Sequence, residues 1–172
     1  MCIRDRYKLG WSLAALFAVV LTWILVTLSF IDFDHKILPD DIVIPCLWLG
    51  VGLNIFNVYA DLQSSVIGVI VGYLCFWIVF QVFLLLTKKE GMGHGDFKLM
   101  ALFGAWLGWQ FLPQIIFLST LVGSVFGLSL ILLNKSGRET QIPFGPYIAS
   151  AGWIALLWGK DINQTYLNYA GL

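Results

Sequence analysis

The chain has 172 residues, 59% of them hydrophobic and 12% charged, with ten basic and ten acidic side chains in balance. Soluble domains carry about 25% charged residues, so this composition and a mean hydropathy of +0.85 exclude that class. Zero net charge with no basic block excludes a nucleic-acid partner. A polytopic membrane protein is left, and its continuously apolar runs specify helices rather than the alternating strands of a barrel. The expected fold is all-α, a bundle of six transmembrane helices.

Residues 1–8 contain Arg4, Arg6 and Lys8, and Met-Cys-Ile-Arg-Asp-Arg reads as a non-native or disordered N-terminus. The apolar run behind it is too long for a signal peptide and lacks a small-residue cleavage site. The first span is Leu9 to Phe30, and a loop follows with Asp32, Asp34, His35, Lys36, Pro39, Asp40 and Asp41. Ile42 to Tyr59 is the second span, with Pro45 placed in its first turn, where a missing N–H costs little. Ser64 to Thr87 is the third, followed by Lys88, Lys89, Glu90 and a glycine turn. Leu99 to Asn134 carries no charge, yet a straight helix of that length would reach about 54 Å, nearly twice the hydrocarbon thickness. It must fold back, and Gln110-Phe111-Leu112-Pro113-Gln114 is the break. After the polar stretch Lys135 to Glu139, Pro143-Phe144-Gly145-Pro146 introduces a last short helix to Gly159. The membrane domain is then 9–160, and 161–172 is a short tail.

Six spans put Lys36, then Lys88, Lys89 and Lys98, then Lys135 and Arg138 on one side. The positive-inside rule makes that side cytoplasmic, with Lys36 and Lys98 as interfacial anchors and most of the eight Trp as interfacial belt or packing residues. Glycines at about four-residue spacing, Gly68, Gly72, Gly104 and Gly108 among them, let helices approach closely. Cys46 and Cys75 form no Cys-x-x-Cys pair and read as small packing residues.

Two carboxylates carry the chemistry. Asp32 and Asp96 each lie beside the end of a long apolar run, on the same face, and carboxylates next to hydrocarbon mark ion paths, proton relays or catalysis. Two acids close enough to share one proton form an aspartic protease dyad, one activating a water and the other protonating the carbonyl oxygen. Gly93 and Gly95 free the backbone for a tight turn before Asp96, and Pro39 fixes a turn after Asp32. Lys98 supports Asp96 by tuning its charge. Asp40, next to Pro39, is placed to cap the second helix. His35 and His94 with nearby acids lack a third fixed ligand, so no metal is assigned.

Asp32, six intervening residues and Pro39-Asp40, with Gly93-His94-Gly95-Asp96-Phe97-Lys98 and the later Pro143-Phe144-Gly145-Pro146-Tyr147, resemble the type IV prepilin peptidases, membrane aspartic peptidases of the Gly-x-Gly-Asp kind. The resemblance covers about Leu9 to Gly159. It implies an aspartic endopeptidase of the bacterial inner membrane that cleaves the basic leader of prepilins or pseudopilins, for type IV pili or type II secretion, at the cytoplasmic face. It also implies Asp32 and Asp96 as the catalytic pair and no cofactor for proteolysis. Longer members resemble this chain only in their C-terminal part; ahead of it they carry a further helix and a domain with Cys-x-x-Cys motifs, and many also methylate the new N-terminus, an activity not assigned here. The competing readings are a proton- or cation-coupled carrier and a non-enzymatic assembly subunit. Against the carrier, both aspartates lie at one face and no inverted repeat is evident.

Overall fold

The computed structural model describes residues 13–88, 93–132 and 144–170. Of the residues named above, 1–8, Leu9, Lys89, Glu90, Asn134 to Glu139, Pro143 and the last two of the tail lie outside the described residues. Within those residues the chain forms six α-helices and a 3₁₀ turn: α1 Leu13–His35, α2 Asp40–Ile55, α3 Leu62–Thr87, α4 His94–Leu107, the turn Trp109–Phe111, α5 Leu112–Leu132 and α6 Gly145–Ala170. The protein is an all-helical, multi-pass membrane bundle.

Local chemistry accounts for each boundary. Lys36 takes a left-handed conformation (φ 56°) that stops α1, and its N–H donates to the Asp32 carbonyl at 2.9 Å. Pro39, with φ −68°, sets the entry to α2, and its carbonyl accepts from the N–H groups of Ile42 and Val43. The Asp61 side chain caps α3 by accepting from Ser64 N–H at 2.9 Å. Lys88, again left-handed at φ 54°, closes α3. The one described glycine with positive φ is Gly108 (83°), where α4 gives way to the 3₁₀ turn and a side chain would be strained.

Three segments, Ala14–His35, Leu62–Leu86 and Trp109–Phe126, are long and apolar enough to cross a membrane. The 14-residue α4 is not, reaching about 21 Å at 1.5 Å per residue. Its surroundings explain why this suffices. It packs against α2, α3 and α6, and Phe97, Leu99, Met100, Leu102, Phe103, Ala105 and Trp106 are all buried. A helix apolar on every side belongs inside protein.

Bare backbone makes that central position possible. A Cβ on Gly104 would overlap the Gly68 carbonyl, and one on Gly72 would lie 2.8 Å from the Met100 carbonyl oxygen, so α3 and α4 meet backbone to backbone. A side chain at Gly50 of α2 would collide with the Trp106 ring, whose Nε1–H donates to the Cys46 carbonyl at 2.9 Å. Trp106 is therefore core, not interfacial belt.

Several boundaries differ from the sequence reading. Helix α1 runs past Phe30 to His35, so Asp32 sits in a helical turn rather than a loop. Helix α2 begins at Asp40, which moves Pro45 into its second turn, and stops at Ile55 because Asn57 turns left-handed (φ 53°) before the apolar run ends at Tyr59. Helix α6 continues through Gly159 to Ala170, carrying exposed Lys160 and Asp161 with it. Gly108 ends a helix and also sits close to α3, where a Cβ would lie 3.3 Å from the Ser64 Cβ.

Candidate active site

At the His94 end of α4, Leu38 of the loop leading into α2 seats on Gly95, and Asp96 is close enough to Asp32 of α1 to feel its charge. Asp96 lies in the first turn of α4 and Asp32 in the last turn of α1, and both are buried, at 4% and 6% exposure. Their helices do not adjoin in sequence. Helix α6 joins them, packing on both α1 and α4.

Asp32 is held from α6. The Gly145 N–H, first in that helix, donates to Asp32 Oδ2 at 3.0 Å. A helix N-terminus presents unpaired N–H groups and a partial positive charge, which suits a carboxylate that its own helix, ending there, would repel. Asp96 is the mirror case, an acid in the first turn of its own helix, with its N–H donating to the Gly93 carbonyl at 3.2 Å.

The two carboxylates feel one another. Asp96 precedes the uncharged stretch from Leu99 and lies outside the segments able to cross a membrane. Burial pushes its carboxyl up to about 7, the Asp32 charge adds to the rise, and a backbone hydrogen bond at Gly93 opposes it. Two acids this close titrate as a unit, so the rise belongs to the pair rather than to Asp96 alone.

The supporting residues act differently from the turn-forming roles expected of them. Gly93 is extended (φ −74°, ψ 143°), a conformation open to any residue, and a Cβ there would make only ordinary contact with Asp96 Oδ2, at 3.7 Å. Gly95 is needed for space: a Cβ would lie 2.6 Å from the Leu38 Cβ, so Leu38 from the α1–α2 loop seats directly on the start of α4. Pro39 does shape that loop. Lys98 reaches across to Asp40, with Nζ donating to both carboxylate oxygens at 2.6 and 2.7 Å, in a half-exposed ion pair. Asp40 thus ties α2 to α4 rather than serving as the expected cap, and Lys98 is not a free interfacial anchor.

Sequence reasoning missed two participants. Leu38 carried no polar signal. Gly145 stood in a motif read as a helix start and as part of the family resemblance, although a glycine beside two prolines marks a place where backbone must come close to something. An aromatic layer completes the site's apolar side: Phe97 lies against Phe80 (5.5 Å between centroids) and edge-on to Tyr73 (6.0 Å). Phe144 meets Phe76 and Tyr147 at 6.4 and 6.2 Å.

Fold and site together define a multi-pass helical membrane protein organised around a pair of buried carboxylates at one end of a central helix. The chain belongs to the type IV leader peptidase family, whose model matches residues 19–128. It is 52% identical over 166 residues to a prepilin leader peptidase/N-methyltransferase of Pseudomonas aeruginosa, covering 96% of this chain and 57% of that protein. With the protein of the same name from Aeromonas salmonicida the identity is 54% over 159 residues, covering 92% and 54%. With that of Legionella pneumophila it is 43% over 169 residues, covering 98% and 59%. The chain therefore spans little more than half the length of these relatives. No solved structure matches it.

Proposed function

We propose that this chain is an aspartic endopeptidase that removes the leader peptide from type IV prepilins or pseudopilins, acting at the cytoplasmic face of the bacterial inner membrane. The observation that carries the reading is the burial of Asp32 and Asp96 at one end of the bundle, close enough that one raises the other's affinity for a proton. Family membership supports the reaction, and the names of its relatives support the substrate. The orientation follows from the lysines on this side of the chain, Lys36, Lys88 and Lys98.

In the proposed reaction the pair holds one proton and a water between its carboxyls. The ionised carboxylate, assigned to Asp32, takes a proton from the water as its oxygen attacks the scissile carbonyl carbon. The protonated carboxyl, assigned to Asp96, gives its proton to the carbonyl oxygen, forming a neutral gem-diol. Collapse of the diol breaks the C–N bond; the amine takes the proton gained by Asp32, and Asp96 recovers one from the diol hydroxyl. Every proton is accounted for by the two acids and the water, so proteolysis requires no cofactor. Burial of both carboxyls keeps the pair from bulk solvent, which strengthens these electrostatic interactions.

Purified protein in detergent is expected to cut a synthetic peptide spanning a prepilin leader and the apolar residues after it. Asp32→Asn and Asp96→Asn should each abolish cutting while leaving helical content intact. Retained cutting in either variant would end the dyad assignment. The carrier alternative is not favoured, because both carboxylates share one end of the bundle; it would show ion-dependent uptake in vesicles.

A further inference from the structure

The stretch from Phe144 to Tyr147 supplies no acid or base to the reaction above, yet its Gly145 N–H reaches Asp32. We propose that Gly145 is a positioning residue for the reaction: its backbone N–H and its missing side chain together fix the orientation of the Asp32 carboxylate, a role that rests on the dyad reading above.

Three observations carry this. First, Gly145 is buried and its N–H donates to Asp32 Oδ2 at 3.0 Å, across 113 residues of sequence. A carboxylate is planar and its Cβ is already placed by α1, so holding Oδ2 also sets the direction of Oδ1. Second, a side chain at this position would push the carboxylate aside. A Cβ at position 145 would sit 2.5 Å from Oδ2 and 3.0 Å from Cγ of Asp32, nearer than carbon and oxygen can approach without one of them moving.

Third, the flanking residues anchor the donor. The Phe144 ring packs edge-on against Phe76 of α3, and a Cβ on Gly123 of α5 would come within 3.0 Å of it, so the residue before the donor is wedged between two helices. Pro146 lacks an N–H in the first turn of α6, where none is needed. Tyr147 packs on Phe126 at 5.7 Å. The motif therefore reads residue by residue as anchor, donor, helix start and second anchor.

The test compares wild type with Gly145→Ala and Gly159→Ala, using the full chain in detergent and the same leader peptide. Alanine at 159 crowds the Phe111 ring, about 21 Å along the same helix from Gly145, where a Cβ would lie 2.9 Å away. It is expected to lower the thermal midpoint and leave kcat unchanged at permissive temperature. Gly145→Ala should lower kcat about 100-fold, the scale expected when a reacting group is misplaced by about 1 Å, with KM within about twofold. An unchanged kcat in Gly145→Ala overturns the proposal.

Because Gly145→Ala could fail to fold, a second measurement uses 15N-glycine labelling of wild type and Asp32→Asn. The Gly145 amide proton should lie downfield in wild type, bonded to a carboxylate, and move upfield by a clear margin in the variant. Identical shifts in the two proteins would remove the contact and the proposal with it. If wild type cuts no leader peptide, the peptidase reading fails, and the amide shift still judges the contact by itself.

Discussion

The two ends of α4 both bring polar groups into apolar surroundings, and they do so in opposite ways. At the Leu107 end, Asn54 of α2 donates to the Ala105 and Trp106 carbonyls at 2.8 and 3.1 Å and accepts from the N–H groups of Tyr59 and Ala60, both at 3.1 Å. Ser65 donates to the same Ala105 carbonyl at 2.6 Å, Gln110 donates to Ser64, and Tyr59 donates to the Ala14 carbonyl. Every hydrogen-bonding position of the Asn54 amide is thereby filled. At the His94 end, Asp32 and Asp96 are also buried, and among the described residues each is held by a backbone contact with room to accept more. A saturated network locks a helix end in place, whereas buried acids with spare capacity and a shared proton are equipped for a reaction.

This contrast makes graded predictions. The largest effect should come from the acids: Asp32→Asn or Asp96→Asn should reduce leader cutting by a factor above about 10³, since general acid or base catalysis contributes 10²–10⁴. The thermal midpoint should hold or rise, because an amide of the same shape needs no ionisation in a buried site. Loss of fold in both variants would erase the distinction between the two ends.

Next in size is Asn54→Ala. It leaves the Trp106 carbonyl and two loop N–H groups without their partner, and each unsatisfied buried group costs about 1–3 kcal/mol. A loss of about 3 kcal/mol in denaturation is expected, with kcat retained where the variant is folded. A midpoint unchanged from wild type would mean that the polar clamp holds nothing.

A smaller, continuous effect follows from proton sharing. The Asp96 carboxyl rises from 3.8 to about 7, so folded protein holds a proton that the unfolded chain has lost. Stability from this group is complete below 3.8 and falls as pH rises to about 7. Cutting should decline in step as pH rises through about 7 and the pair loses its proton. A rate that stays level to pH 9 would argue against a shared proton.

The smallest effect belongs to Lys98→Met. Its ion pair with Asp40 is half exposed, so stability should change by under about 1 kcal/mol. Releasing Asp40 loosens the loop that seats Leu38 on Gly95, and kcat should fall several-fold; an unchanged kcat would confine Lys98 to the surface.

Much of this was legible in the chain itself. Apolar runs marked the helices, and the lysines and the two aspartates marked one end as different. What escaped was set by residues distant in sequence. Asp32 looked like a loop residue because Asp, His and Lys cluster there, whereas the first N–H of α6 accommodates a carboxylate at the end of α1. The eight Trp read alike as belt or packing residues, and only the room that Gly50 leaves for its ring marks Trp106 as core. The Asp40–Lys98 pair spans 58 residues, and no local pattern signals it. Gly95 was read for its freedom of φ, but its use is the space it leaves for Leu38, which only the packed bundle reveals.

The most direct test of the account measures leader cutting and thermal unfolding side by side, in one detergent, for Asp96→Asn and Asn54→Ala. The account predicts a crossed result: Asp96→Asn folded and inactive, Asn54→Ala active and destabilised. If Asp96→Asn cuts the peptide at the wild-type rate, the buried acids are not the reacting pair and the central claim is wrong.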